Sequence, residues 1–124
     1  MEEKQATPQE DFIKDPETTI VGIHRIDDEG NPAGGSITSL GVEINWQNGP
    51  LGSGEERKDP NGAQVEDVIT AAIDRLTFFQ HAANGKFACT WNNKAIIKLK
   101  SALESLKART KDRESRQVEG TYKP

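Results

Sequence analysis

Disulfides, histidine clusters and long apolar runs are all missing from this sequence, and each absence removes a class of function. A single cysteine, Cys89, among 124 residues leaves no internal disulfide to form and suits a reducing compartment. With two histidines, His24 and His81, no Cys/His cluster has the ligand spacing of a metal site. Asp27, Asp28 and Glu29 are consecutive turn acids, not the spaced ligands of a calcium loop. No segment matches the phosphate loop that ends in Gly-Lys-Ser/Thr. Cys89 has no sequence-visible base and reads as a small buried thiol rather than a nucleophile. The sequence therefore reads as a non-enzyme, with no metal and no cofactor.

No run approaches the ~18 consecutive apolar residues that a membrane span needs. The start Met1-Glu2-Glu3-Lys4-Gln5 lacks the basic and apolar blocks of a secretory signal. A soluble cytosolic protein with no membrane partner is expected. A net charge of −4 argues against coating long nucleic acid, which favours an overall basic surface. The charge is uneven, however. From Lys86 onward ten Lys/Arg face only Glu104, Asp112, Glu114 and Glu119, so a small anion finds a basic segment on an acidic protein.

What is present has clear periodicity. Residues 1–17 are polar and aperiodic, and read as a flexible N-terminal arm. A single domain is expected over 18–124, opening with a β-ribbon over 18–50. The β-branched run from Thr18 to Ile26 reads as a strand, and Asp27 to Gly35 as turn chemistry. Leu40, Val42, Ile44 and Trp46 alternate as in a half-buried strand. Val65, Val68, Ile69, Ala72, Ile73, Leu76 and Phe79 then repeat at helical spacing, predicting helix one over 63–84. Asn84-Gly85 stops it. Asn92 or Asn93 caps helix two, over 92–115, with the stripe Ile96, Leu99, Leu103 and Leu106. A segment over 116–124 follows, in which Val118, Gly120 and Tyr122 look built to dock. The fold class is α+β: an antiparallel β-ribbon or small sheet, then a long antiparallel two-helix hairpin. One copy cannot shelter both stripes, so oligomerisation is expected to complete the core.

Several residues have two readings. Arg109, Arg113 and Arg116 are spaced by four and three, one side of a helix. Guanidinium forks suit phosphate, but basic residues also favour a helix C-terminus through its dipole. Phe79 continues the core stripe. Phe78 falls about 100° away and needs either another subunit or a flat base to cover it. Trp46 to Leu51 offers an indole and two amides to a ribose or base, or is a strand ending in a turn. Asn92 is either a helix cap or a ligand contact.

The segment Arg109-Thr110-Lys111-Asp112-Arg113-Glu114-Ser115-Arg116-Gln117-Val118-Glu119-Gly120-Thr121 resembles the ending of phage proteins with a two-helix hairpin domain. Asn61 to Ile69, Ala71 to Leu76 with Phe78-Phe79-Gln80, and the strand end Ile44-Asn45-Trp46-Gln47-Asn48-Gly49-Pro50-Leu51 resemble other parts of the same proteins. That domain is shared by the Thoeris anti-defence sponges and the anti-CBASS cyclic-nucleotide sponges. The ribbon points to the Thoeris branch. One departure is Gln117, where glycine is expected. The resemblance implies a protein of the infected host's cytoplasm that binds cyclic ADP-ribose isomers without cleaving them. Some members assemble as hexamers and hold cyclic di- or trinucleotides in separate sites. It also implies roles: Arg109 and Arg113 on the pyrophosphate, Phe78 or Phe79 stacked on adenine, Asn92 at ribose or base, and Arg116, Glu119 and Thr121 as walls. The competing readings are a messenger-degrading enzyme, which lacks a catalytic cluster, and a structural or protein-binding hairpin with no nucleotide.

Overall fold

The computed structural model describes residues 7–15 and 19–124. Four antiparallel strands, in the spatial order of the chain, come first: β1 (Thr7–Asp15), β2 (Ile20–Ile26), β3 (Pro32–Ser39) and β4 (Val42–Asn45). Two helices follow, α1 (Val65–Gly85) and α2 (Thr90–Ser115). The architecture is α+β, as the periodicities indicate. The described chain divides into two compact units. The sheet, the loop up to Ala63 and the returning end Gly120–Pro124 form one; Gln64–Glu119 forms the other. Each unit is made of neighbouring elements that pair with one another, strand with strand and helix with helix.

The sheet departs from the expected ribbon in two places. Thr7–Asp15, expected to be part of a flexible arm, pairs with β2 from Thr7↔Ile26 to Asp15↔Ile20, with an irregularity between Gln9 and Ile13. Main-chain pairing needs no apolar pattern in the recruited strand, so its sequence carried no alternation to read. The rest of 1–17 lies outside the described residues. Pro32 to Gly35, expected to be turn, instead opens β3. Proline is tolerated as the first residue of a strand. Gly35 is required by a close approach: a Cβ there would lie 2.2 Å from the Ile23 carbonyl oxygen. The real turn is shorter. The Asp27 carboxylate accepts from the Glu29 and Asn31 amides, both at 2.9 Å.

The Leu40–Trp46 alternation also fails at its start. Leu40 sits in the two-residue turn between β3 and β4 and is 97% exposed. Val42 is exposed as well, while Ile44 and Trp46 are half-buried. Past β4, Ala63 bridges Trp46 in parallel, and the Gln47 amide donates to the Ala63 carbonyl at 2.9 Å.

In the second unit, Val68, Ile69, Ala72, Ile73 and Leu76 of α1 are half-buried, as are Leu99, Leu103 and Leu106 of α2. Ile96 and, in the sheet unit, Ala33 are the buried hydrophobic residues among those described. Asp67 accepts from the Gln64 amide at 2.9 Å, satisfying one amide at the start of α1. The regular part of α1 stops after His81. Ala82 turns extended, and Ala83 and Asn84 take left-handed backbone angles, two residues before the expected stop.

Candidate functional site

The two-helix hairpin presents aromatic side chains at its loop end and arginines at the other, and the nominated residues of that unit divide between them. At the loop end, Phe78 and Phe79 pack edge to face with ring centroids 5.8 Å apart. Phe78 is 53% exposed and Phe79 38%, so Phe79 is not the core residue its stripe position suggested. The α1 face that would have buried it has no further layer within this unit. Arg75, one turn earlier, places its guanidinium carbon 4.9 Å from the centroids of both rings, within the range of cation–π attraction.

Gln80 connects this end of α1 to the start of α2. Its Nε2 donates to the Cys89 carbonyl at 3.1 Å and its Oε1 accepts from the Cys89 amide at 3.0 Å. Cys89 is the N-cap of α2, with Sγ accepting from the Asn92 amide at 3.4 Å. The thiol is exposed, not buried, because capping holds it at the helix entrance. Asn92 is thus not the cap but a first-turn residue, half-buried. Trp91 beside it is exposed, with the Lys94 ammonium 4.8 Å over its ring.

At the other end of the hairpin stand the arginines, each facing a carboxylate. Arg109 reaches Glu66 in the first turn of α1 at 3.7 Å, and its side chain is 60% exposed. Arg113, at 22% exposure, bonds Glu119 at 3.1 Å and donates to the Val118 carbonyl at 2.9 Å. Arg116 pairs with Asp112 at 3.1 Å. Along α2, Asn92 and Arg109 are separated by about 25 Å at roughly 1.5 Å per residue. One copy of the chain therefore does not bring the aromatic pair and Asn92 together with the arginines. Thr121 belongs to the sheet unit, where its Oγ1 accepts from the Lys123 amide at 3.1 Å.

The strand-end amides are engaged within the sheet unit. Gln47 Oε1 accepts from the Asn61 amide at 2.9 Å and Asn61 Oδ1 from the Asn48 amide at 2.8 Å. Asn61 Nδ2 donates to the Asn48 carbonyl at 2.9 Å. Trp46 keeps a buried indole N–H that has no partner among the described residues.

The sequence reading gave Arg75, Gln80 and Asn61 no role beyond their place in the stretches that carry the resemblance. Arg75 left a signal: it stands three and four residues before Phe78 and Phe79, the spacing that makes helical neighbours. Asn61 and Gln80 left none, since their partners are main-chain groups set by the fold.

This hairpin has known counterparts. Residues 39–111 match the model of the Acb2/Tad1 hairpin domain. The chain belongs to that family. The Acb2/Tad1 match covers Phe78, Phe79, Asn92 and Arg109, while Arg113, Arg116, Glu119 and Thr121 lie beyond it. Over 79 residues, 64% of its length, this family member is 43% identical to Thoeris anti-defense 1 of Bacillus phage SBSphiJ7. It spans about half the length of that relative, 51%. Among the described residues, no helix is long and apolar enough to cross a membrane, and no three His, Cys, Asp or Glu side chains cluster as metal ligands would.

Proposed function

We propose that this Acb2/Tad1 hairpin protein is a phage anti-defence factor acting inside the host cell, where it binds and sequesters cyclic ADP-ribose-type immune signals without cleaving them. The similarity to Thoeris anti-defense 1 across the hairpin carries the reading. Two features of the hairpin support it. An exposed aromatic pair at one end offers stacking surface for adenine. A cluster of guanidinium groups at the other offers bidentate donors for a pyrophosphate.

Because these lie at opposite ends of one hairpin, the pocket forms between copies. Phe78 or Phe79 and Asn92 come from one protomer, and Arg109 and Arg113 from its partner, with Arg116, Glu119 and Thr121 as walls. Sparse burial in the hairpin fits a core completed by a homo-oligomer, built of dimers and expected to be a hexamer. Cyclic di- or trinucleotides are the ligands for a separate site. A sequestering protein needs a slow off-rate and no turnover.

A second reading has its own observation. Arg109, Arg113 and Arg116 each face a carboxylate, as they would in a structural or protein-binding hairpin with no nucleotide ligand. Calorimetric titration with cyclic ADP-ribose isomers, followed by heat release and chromatography of the ligand, separates the possibilities. Tight binding with the ligand recovered intact is expected. No heat of binding would favour the structural hairpin, and altered ligand would mean an enzyme.

A further inference from the structure

Every arginine at the open end of the hairpin faces an acid, but Arg75 does not. Among the described residues the Arg75 guanidinium makes no hydrogen bond or ion pair. Its neighbours are the rings of Phe78 and Phe79, each 4.9 Å from the guanidinium carbon. A ring's negative face attracts a cation yet takes none of its five N–H donors, which at exposed Arg75 are left to solvent. The rings thus hold the charge in place without occupying its donors. An anion arriving at Arg75 displaces no carboxylate, whereas one arriving at Arg113 must compete with Glu119 at 3.1 Å.

We propose that Arg75 is the phosphate-binding residue of the aromatic pair, contacting the anionic group of a purine nucleotide whose base stacks on Phe78 or Phe79. This rests on the nucleotide-binding reading above and adds a residue to it. The two rings stand at 70° to one another, so they do not cover each other face to face, and Phe78 is more than half exposed. A flat base gains stacking area there, and its phosphate gains the fork of Arg75 one helical turn away. The ligand class is therefore an aromatic ring carrying a negative charge. A neutral nucleoside gains the stacking alone.

Calorimetric titration of the 124-residue chain with cyclic ADP-ribose, at low and at physiological salt, tests this. Arg75→Gln is expected to weaken binding about tenfold or more, the loss of a charge-assisted contact. It is also expected to flatten the salt dependence, which a purely packing role would leave alone. Arg75→Lys keeps the charge without the fork and should bind between the two. Arg75→Gln binding within about twofold of the unsubstituted chain, with the same salt response, overturns the inference. So does a loss of binding accompanied by a changed oligomeric state in sedimentation, which would make Arg75 an interface residue. Failure of the unsubstituted chain to bind overturns the nucleotide reading itself, and this inference with it.

Discussion

The amide of Gly52 donates to the carbonyl of Gly120 at 2.9 Å, in an approach so close that a Cβ on Gly120 would lie 2.3 Å from the Gly52 oxygen. Gly120 also has φ +75, in the region that disfavours any side chain. Gly120→Ala is therefore expected to destabilise the sheet unit by about 1–3 kcal/mol, the usual cost of holding a side chain in such a conformation. Urea unfolding measures it. An unchanged midpoint would mean that the returning end contributes nothing to this unit.

Gln117 presents the opposite case. It takes φ +60 just after α2, with its amide donating to the Glu114 carbonyl and the Val118 amide to the Arg113 carbonyl, both at 3.0 Å. This is the double-bonded helix end that glycine favours at the left-handed position. Gln117→Gly should thus stabilise the protein by roughly 1 kcal/mol, the order of the left-handed penalty on a residue with a Cβ. A lower melting temperature would show that the glutamine side chain has a compensating role.

The arginines should separate by what each holds. Arg113 bridges Glu119 and the Val118 carbonyl, so Arg113→Ala is expected to cost about 1–3 kcal/mol in the absence of any nucleotide. Arg109 makes a longer, exposed pair with Glu66, and Arg109→Ala should change stability by less than about 1 kcal/mol. Denaturation without ligand checks both, and equal effects would contradict the geometry. Lost capture in Arg109→Ala then reports on binding, whereas in Arg113→Ala it reports on binding and the helix end together.

Alkaline pH should loosen the sheet unit through Tyr122. Its hydroxyl donates to the Pro32 carbonyl at 2.8 Å. Burial, and secondarily the charge of Asp27, raise its pKa. A group whose pKa is higher folded than unfolded favours the fold while protonated. That stability is complete below about pH 10, the unfolded value, and is lost as pH rises through the folded one. Tyr122→Phe should cost about 1 kcal/mol at neutral pH and remove this alkaline dependence. Thermal melts across pH would show it, and the same slope in both proteins would assign the effect elsewhere.

The sequence by itself determined the helices, because a 3.6-residue stripe is a local pattern that survives whatever it packs against. Val68 to Leu76 and Ile96 to Leu106 needed no tertiary information, nor did the exposure of Phe78. The strand identity of the run from Ile20 to Ile26 followed from its β-branched residues. Tertiary structure decided what depends on a distant partner. Thr7–Asp15 becomes a strand through main-chain pairing to β2, and Pro32 to Gly35 joins β3 because its backbone closes on Ile23. Leu40 leaves the strand for a turn. Which acid each arginine meets, and which two rings hold Arg75, likewise follow from how the chain folds back on itself. Periodicity records which face of an element is apolar; it holds no record of which polar group will stand opposite.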